Sequence, residues 1–290
     1  PQPQTREHLM ALEIMGIKNV VVAQNKIDLV SEEEAIKNHE QIKEFLKDSP
    51  FKDAPIIPIS AQHGVGISAL IESIEKYIPT PKRDVSVEPR LLVARSFDIN
   101  KPGSKIKTIV GGILGGALIQ GELEKGMEIE IRPGYEVIEK NQKIFKPIKT
   151  KIIAIKTGNI SVDKAGPGGS LGLMTSLDPS IVKSDKLSGS VVGLPDKLPP
   201  VHYDLQLEVN LLDRVVGTEK NLTVEPIKMT EALMLNVNSA STVGIVTQLK
   251  KDIITCKLKL PVCADIESRV TISRMIGNRF RLIGFGVIKE

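Results

Sequence analysis

The tetrapeptide Asn25-Lys26-Ile27-Asp28 places an amide, a cation and a carboxylate at fixed spacing. The Asp28 carboxylate can accept two parallel hydrogen bonds, which guanine donates from N1 and N2 and which adenine does not offer. The Asn25 amide can donate toward O6 and N7, and the aliphatic stem of Lys26 can cover the ring. The pattern predicts a guanine-reading loop, with a strand followed by an Asx-type turn as the alternative.

A second short stretch, Ser60-Ala61-Gln62, supplies the other half of the predicted site. Backbone N–H groups of this loop can donate to guanine O6, where adenine carries an amino group. Apolar runs at 20–24 and 55–59 predict two buried parallel strands, and each ends at one of the two loops. Because ligands bind at the carboxyl ends of such strands, we expect both loops to contact one base.

The elements around the two loops alternate between helix and strand. We expect a helix over 5–15 with Thr5 as its cap, and a second helix opened by a capping box of Ser31 and Glu34. A third helix begins at Ser68, and its inward stripe is expected to contain Leu70, Ile71, Ile74 and Ile78. The order predicts the C-terminal part of a doubly wound α/β domain.

Helical periodicity largely ends after a Pro-containing linker at 79–84. Short Val-, Ile- and Leu-rich segments separated by turns then predict an antiparallel β-barrel, and a second Pro-marked break at 194–200 precedes another. The fold class is therefore α/β plus all-β. We expect three domains: 1–84, the C-terminal portion of a nucleotide-binding domain, and barrels over 85–198 and 199–290.

Composition limits the remaining function classes. The chain has 290 residues, is 41% hydrophobic and has two Cys, which we expect to be core thiols in a reducing compartment. Net charge is about −3 over 1–84 and +7 over 85–290, so the second part is suited to a polyanion, although a solvated surface explains it almost as well. No nucleophile triad or metal-ligand spacing stands out, so we assign no catalytic or metal residue.

Two further patterns admit both a structural and a functional interpretation. Glycines at Gly111, Gly112, Gly115 and Gly116 suit close backbone approach in a barrel, or a strand edge open to a terminal nucleotide. The segment lacks the Lys and Ser/Thr of a phosphate loop. Arg279 and Arg281 share one face of a strand and can contact RNA phosphates, or simply form a solvated barrel rim.

These motifs carry a family resemblance. The Asn25–Asp28 and Ser60–Gln62 stretches resemble the fourth and fifth guanine-binding motifs of translational GTPases, and two barrels after a P-loop GTPase domain are similar to the elongation factor Tu layout. Further segments resemble the gamma subunit family of archaeal and eukaryotic translation initiation factor 2: PQPQTREH at 1–8, RSFDINKPG at 95–103, NLL at 210–212 and RLIG at 281–284.

The resemblance implies a GTPase that uses GTP or GDP with Mg²⁺. It implies a cytoplasmic subunit of a heterotrimer with alpha and beta partners that delivers initiator methionyl-tRNA to the small ribosomal subunit, without a membrane partner. Asn25, Lys26 and Asp28 would read the base, and Ser60, Ala61 and Gln62 would close the site. The tRNA end would dock beside the first barrel, where we assign the Gly111–Gly116 segment to it.

The family's phosphate loop, switch regions and Asp-x-x-Gly motif are expected before Pro1. We therefore expect residues 1–290 alone neither to hydrolyse GTP nor to bind it tightly, since those parts hold the phosphates and Mg²⁺. The alternatives are a non-catalytic double-barrel adapter for RNA or protein, and another elongation-type translational GTPase.

Overall fold

The computed structural model describes residues 1–140, 142–212, 215 and 222–290. The chain divides into two compact units, of which the first contains Pro1–Lys82 and the second contains Arg83–Asp213 and Val224–Glu290. The first unit is α/β and the second is all-β apart from short helical turns, which confirms the predicted fold class.

The first unit alternates helices with two short strands. Its elements are α1 (Pro3–Ile14), β1 (Val22–Gln24), a 3-10 turn (Ile27–Leu29), α2 (Glu32–Leu46), β2 (Ile56–Pro58) and α3 (Ile67–Tyr77). Strands β1 and β2 pair in parallel, with Val22 opposite Ile56 and Gln24 opposite Pro58. The parallel pairing places the two loops that follow these strands at the same edge, as predicted.

Local sequence explains how two of these helices begin. The Ser31 hydroxyl accepts a hydrogen bond from the Glu34 N–H (3.3 Å), and the Glu34 carboxylate accepts one from the Ser31 N–H (3.1 Å). This reciprocal capping box starts α2 where it was predicted. Helix α1 begins at Pro3 rather than after a Thr5 cap, because proline at the first turn needs no N–H partner.

The expected burial of the first unit was partly wrong. Strands β1 and β2 are three residues long, and Ala23 is exposed where the apolar run predicted a buried strand. On α3, Ile71, Ile74 and Ile78 are 40–55% exposed, whereas Leu70 is half-buried. In the described part of this unit the sheet has two strands, which is too narrow to cover a full helix stripe.

The second unit contains a first barrel of six strands in the ring order β10-β4-β3-β11-β6-β7, closed by pairing of β7 with β10. Leu91, Leu114, Ile131 and Leu173 lie fully buried inside it. The elements of this region are β3 (Arg90–Phe97), β4 (Ile113–Gln120), β5 (Leu123–Glu124), β6 (Glu128–Glu139), β7 (Gln142–Thr157), β8 (Ile160–Val162), β9 (Lys164–Ala165), β10 (Ser170–Thr175), α4 (Pro179–Val182) and β11 (Val191–Gly193), with further 3-10 turns at Ile106–Thr108 and Lys183–Asp185.

A second closed barrel follows, in the ring order β12-β15-β14-β13-β16-β17. Its strands are β12 (Val201–Leu211), β13 (Ala232–Val237), β14 (Ala240–Lys250), β15 (Ile253–Cys263), β16 (Arg269–Ile276) and β17 (Arg279–Lys289). Every pairing is antiparallel. Leu205, Leu207, Leu235 and Ile272 fill the interior with completely buried side chains.

A buried ion pair fixes the segment that joins the barrels. Glu130, 1% exposed, pairs with Arg132 two residues along the same strand. The second Glu130 oxygen accepts the Asp196 N–H at 2.7 Å, and Arg132 donates to the Leu198 carbonyl at 3.0 Å. Pairing and hydrogen bonding together compensate the desolvation of the buried carboxylate, so the connection is held at defined points.

Two further contacts join the barrels directly. Arg90 of the first barrel forms an ion pair with Asp265 of the second, and Val191, Leu198 and Cys263 form a small apolar cluster at the junction. Among the described residues, no helix is both long enough and apolar enough to cross a membrane.

Candidate functional site

The Asn25 side chain joins the two predicted base-reading loops. Its Oδ1 atom accepts hydrogen bonds from the Lys26 N–H at 2.8 Å and from the Ala61 N–H at 3.0 Å. Because both partners are N–H donors, the atom that faces them must be the oxygen. The amide NH₂ group therefore remains at the other end of the side chain as a donor.

Main-chain hydrogen bonds continue this connection. The Ile59 N–H donates to the Gln24 carbonyl at 2.9 Å, and the Ile27 N–H donates to the Ile59 carbonyl at 3.3 Å. The second loop closes on itself through reciprocal bonds between Ser60 and Val65, at 3.0 and 3.1 Å. Both loops consequently begin from one hydrogen-bonded backbone frame.

Lys26 adopts a left-handed conformation with φ of 69°. This residue caps the 3-10 turn that contains Asp28, and the turn brings the carboxylate back toward the Ser60 loop. Left-handed backbone is unfavourable for residues with a Cβ atom and is typical of tight turns.

Asp28 is held from the second loop. A hydrogen bond from the Ser60 hydroxyl is the largest influence that lowers the pKa of Asp28, and the nearby His63 and Lys26 charges lower it further. The His63 Nε2 atom lies 3.7 Å from Asp28 Oδ2. Asp28 is therefore kept as a carboxylate, the form that accepts two hydrogen bonds.

Gln24 is a positioning residue that sequence reasoning missed. Its side chain is buried, with Nε2 donating to the Ala35 carbonyl at 2.8 Å and to Asn38 Oδ1 at 3.1 Å. Its Oε1 lies 3.3 Å from His39 Nδ1. Gln24 thereby attaches the end of β1 to α2, immediately before the Asn25 loop. The signal in the sequence that could have indicated this role is that the apolar run ends in a polar residue, Gln24.

The Ser60–Gln62 loop differs in one detail from the expectation. The Ala61 N–H, expected to meet guanine O6, donates here to Asn25, so that donor already has a partner. Ser60 is buried, whereas Ala61 and Gln62 are exposed. The structure thus brings all six predicted base-site residues to one edge of the sheet, and their roles toward a base remain predictions.

Close packing accounts for three of the four glycines assigned to the tRNA end. A Cβ atom would lie 1.8 Å from the Thr175 carbonyl oxygen at Gly111, 2.4 Å from a Val182 methyl carbon at Gly112, and 2.0 Å from the Leu92 carbonyl oxygen at Gly116. At Gly115 the nearest atom, in the Phe97 ring, would be 3.6 Å away. An RNA end at this segment stays a prediction, and Gly115 is the one of the four positions where a Cβ atom would make only ordinary van der Waals contacts.

Arg279 and Arg281 lie at the start of β17, as predicted from the strand pattern. Arg281 pairs in register with Arg274 of β16. The Arg274 guanidinium is held by Glu231 and by the Glu225 carbonyl at 2.8 Å. Arg279 is exposed and Arg281 half-buried. Their contact with phosphates stays a prediction.

Comparison with known families gives two matches. "Initiation factor eIF2 gamma, C terminal" matches residues 203–288, which correspond to most of the second barrel. "Elongation factor Tu GTP binding domain" matches residues 1–80, which contain both loops of the candidate site.

Full-length coverage of this chain comes from archaeal proteins named translation initiation factor 2 subunit gamma. The protein of Methanocaldococcus jannaschii is 56% identical over 289 residues, covering 100% of this chain and 70% of the relative. That of Pyrococcus furiosus is 56% identical over 290 residues, with coverage of 100% and 71%. That of Thermococcus onnurineus is 53% identical, with coverage of 99% and 70%.

Solved structures share the fold at low sequence identity. A bacterial selenocysteine-specific elongation factor, EF-Sec, superposes with a TM-score of 0.75 at 22% identity, covering 99% of this chain and 42% of that one. Elongation factor SelB of Methanococcus maripaludis, in complex with the GTP analogue GppNHp, superposes with a TM-score of 0.74 at 20% identity, covering 100% and 63%. On the identity and coverage of the archaeal relatives, the chain belongs to the gamma subunits of translation initiation factor 2, a family of translational GTPases that act within a multi-subunit factor.

Proposed function

We propose that this chain reads the guanine base of GTP or GDP with Asn25, Lys26 and Asp28, and that Ser60, Ala61 and Gln62 close the site. The observation that carries the proposal is the direct joining of the two loops by the hydrogen bond from the Ala61 N–H to Asn25 Oδ1, at 3.0 Å. Residues more than 30 positions apart are thereby assembled at one edge of the sheet.

The donor and acceptor pattern favours guanine. An ionised carboxylate has about four lone-pair sites, so Asp28 can retain the Ser60 hydroxyl and still accept from guanine N1 and N2. The Asn25 NH₂ group is a donor suited to the O6 and N7 edge. Adenine has an unprotonated N1 and a donor at position 6, so it mismatches both groups.

Triphosphate chemistry requires parts beyond these loops. Bound Mg²⁺ would neutralise charge on the phosphates, but the described residues contain no group of three or more His, Cys, Asp or Glu able to hold a metal ion. The sequence 1–290 also contains no Gly-x-x-x-x-Gly-Lys-Ser/Thr phosphate loop. We propose that residues 1–290 alone bind GTP or GDP weakly and do not turn over GTP, because the phosphate loop is one of the parts that hold the phosphates.

The wider role follows from the family. The chain acts in the cytoplasm with alpha and beta subunits and delivers initiator methionyl-tRNA to the small ribosomal subunit. Residues 1–84 bind the base, and the barrel domains over 85–198 and 199–290 contact the tRNA and the partner subunits. The net charge of about +7 over 85–290 supports contact with RNA, with Gly115, Arg279 and Arg281 on the contacting surfaces.

The test is nucleotide specificity in a version completed to the full length of the gamma-subunit relatives. Asp28→Asn replaces one acceptor by a donor, which matches the C2 carbonyl of xanthine and mismatches the guanine amino group. We expect GDP affinity to fall at least about tenfold, since one mismatched polar pair costs about 1–3 kcal/mol, and xanthosine diphosphate to bind better than it does to the wild type.

The exposed Asp53→Asn exchange in the same unit is the matched control and should leave both affinities unchanged. Equal affinity of the wild-type protein for GDP and ADP, measured by calorimetry, would refute the proposed base site.

A further inference from the structure

We propose that His63 is a positioning residue for guanine recognition, which orients the Asp28 carboxylate and so sets the discrimination between guanine and a base that lacks the 2-amino group. The inference rests on the proposed function of the two loops. It concerns a residue that base-site motifs leave unassigned, since His63 follows Ser60-Ala61-Gln62 without belonging to it.

His63 reaches Asp28 by two routes. Its ring nitrogen Nε2 lies 3.7 Å from Asp28 Oδ2. Its main-chain N–H donates to the Ser60 hydroxyl oxygen at 3.3 Å, and Ser60 is the largest influence that lowers the pKa of Asp28. His63 therefore contacts the Ser60 side chain and also places an imidazole beside the carboxylate.

The turn that carries His63 has a defined shape. Gly64 and Gly66 have φ values of 70° and 74°, and the reciprocal Ser60–Val65 bonds close the turn around them. The left-handed backbone required here is one that glycine adopts without strain. Geometry of the loop, rather than packing of the ring, therefore places the imidazole at the carboxylate.

The two side chains differ in exposure in a way that suits this role. The His63 side chain is 62% exposed and that of Asp28 is 21% exposed, so the imidazole lies on the outer side of the carboxylate. The Ser60 hydroxyl and guanine N1 and N2 occupy three of the roughly four lone-pair sites of the carboxylate, so one site remains for His63. The ring can hold Asp28 without displacing the base.

The experiment compares GDP with inosine diphosphate, whose base lacks the 2-amino group, in the version completed to full length. A well-oriented Asp28 carboxylate accepts a second hydrogen bond from the 2-amino group of GDP, which IDP lacks. The ratio of the affinities for GDP and IDP therefore reports the orientation of this carboxylate. For His63→Ala we expect this ratio to fall about two- to fivefold, the range of an exposed ion pair. His63→Gln, which retains a donor, should recover most of the ratio.

His8→Ala, an exposed histidine elsewhere in the first unit, is the control and should behave as the wild type. A merely structural role would lower both affinities equally and leave the ratio unchanged, and that result would overturn the inference.

Failure of the proposed function gives a different result, namely a wild-type protein that binds GDP no better than ADP.

Discussion

Asn25 Oδ1 accepts the Ala61 N–H at 3.0 Å, across 36 positions of sequence. This single amide oxygen couples the loop that follows β1 to the loop that follows β2, and it leaves the amide NH₂ group available. One side chain thus has a structural end and a base-facing end.

Two substitutions at Asn25 should separate the structural role of its amide oxygen from the base-binding role of its NH₂ group. Asn25→Asp retains an acceptor for Ala61 and Lys26 but loses the NH₂ donor, so GDP affinity should fall while the Ser60 loop stays in place. Asn25→Ala loses both, so amide exchange at Ala61 should also accelerate, by about five- to tenfold for one lost hydrogen bond of about 1 kcal/mol. Asn19→Ala, an exposed asparagine before β1, is the control. Equal amide exchange in Asn25→Asp and Asn25→Ala would contradict this division.

Substitution by alanine should affect stability differently at the neighbouring glycines Gly115 and Gly116 of β4. Gly116→Ala would place Cβ 2.0 Å from the Leu92 carbonyl oxygen, whereas Gly115→Ala meets nothing closer than 3.6 Å. We expect Gly116→Ala to destabilise the barrel by about 1–3 kcal/mol, through overpacking against backbone, and Gly115→Ala to stay within about 0.5 kcal/mol of wild type. Urea unfolding followed on the barrels measures both.

The same pair tests the assigned tRNA-end surface. If the RNA end contacts Gly115, Gly115→Ala should weaken initiator tRNA binding while stability is unchanged. Undiminished tRNA affinity in a larger Gly115→Leu exchange would remove this segment from the contact surface.

The protein should lose stability when the Glu130 side chain, which pairs with Arg132 at the segment that joins the barrels, is removed. Glu130→Ala leaves the Arg132 guanidinium and the Asp196 N–H without their carboxylate partner. Loss of one member of a buried pair costs about 3–5 kcal/mol, and the denaturant midpoint should fall accordingly. Glu128→Ala, exposed on the same strand, should change stability by less than about 0.5 kcal/mol. Similar midpoints for both variants would show that the pair does not stabilise the junction.

The two thiols should be inert in the folded protein. Burial raises the pKa of Cys256 and of Cys263 to about 12 from 9.0, so the thiolate fraction near neutral pH is lower by about a thousandfold. Labelling by a thiol reagent should therefore require unfolding. Because an unfolded thiol ionises near about pH 8.5 and the folded one near 12, stability should decline as pH rises across that interval.

Cys256→Ala combined with Cys263→Ala should reduce this alkaline decline. Rapid stoichiometric labelling of the native protein would be incompatible with the burial of both groups.

Sequence reasoning succeeded where the signal was local. Ser31 and Glu34 define the start of α2 through contacts three residues apart. The apolar segments after the Pro-marked break at 194–200 predicted a second barrel, and β12 of that barrel buries Leu205 and Leu207. The Asn-Lys-x-Asp spacing and the Ser-Ala pair likewise led to loops that the fold places together.

It failed where the answer depended on distant residues. Helical spacing on α3 cannot reveal how much sheet lies beneath Ile71 and Ile74. The roles of Gln24 and Glu130 depend on Ala35 and Asp196, far along the chain. The Ala61 N–H was expected to be free because nothing in its own neighbourhood shows that Asn25 takes it.

The left-handed backbone of Lys26 has a consequence for protein engineering. A residue with a Cβ atom is less stable there by about 1–2 kcal/mol than in ordinary helical backbone, so glycine is the substitution that a search for thermal stability would select. Glycine would also delete the aliphatic stem assigned to the base. Selection for stability and selection for nucleotide affinity therefore favour opposite residues at position 26.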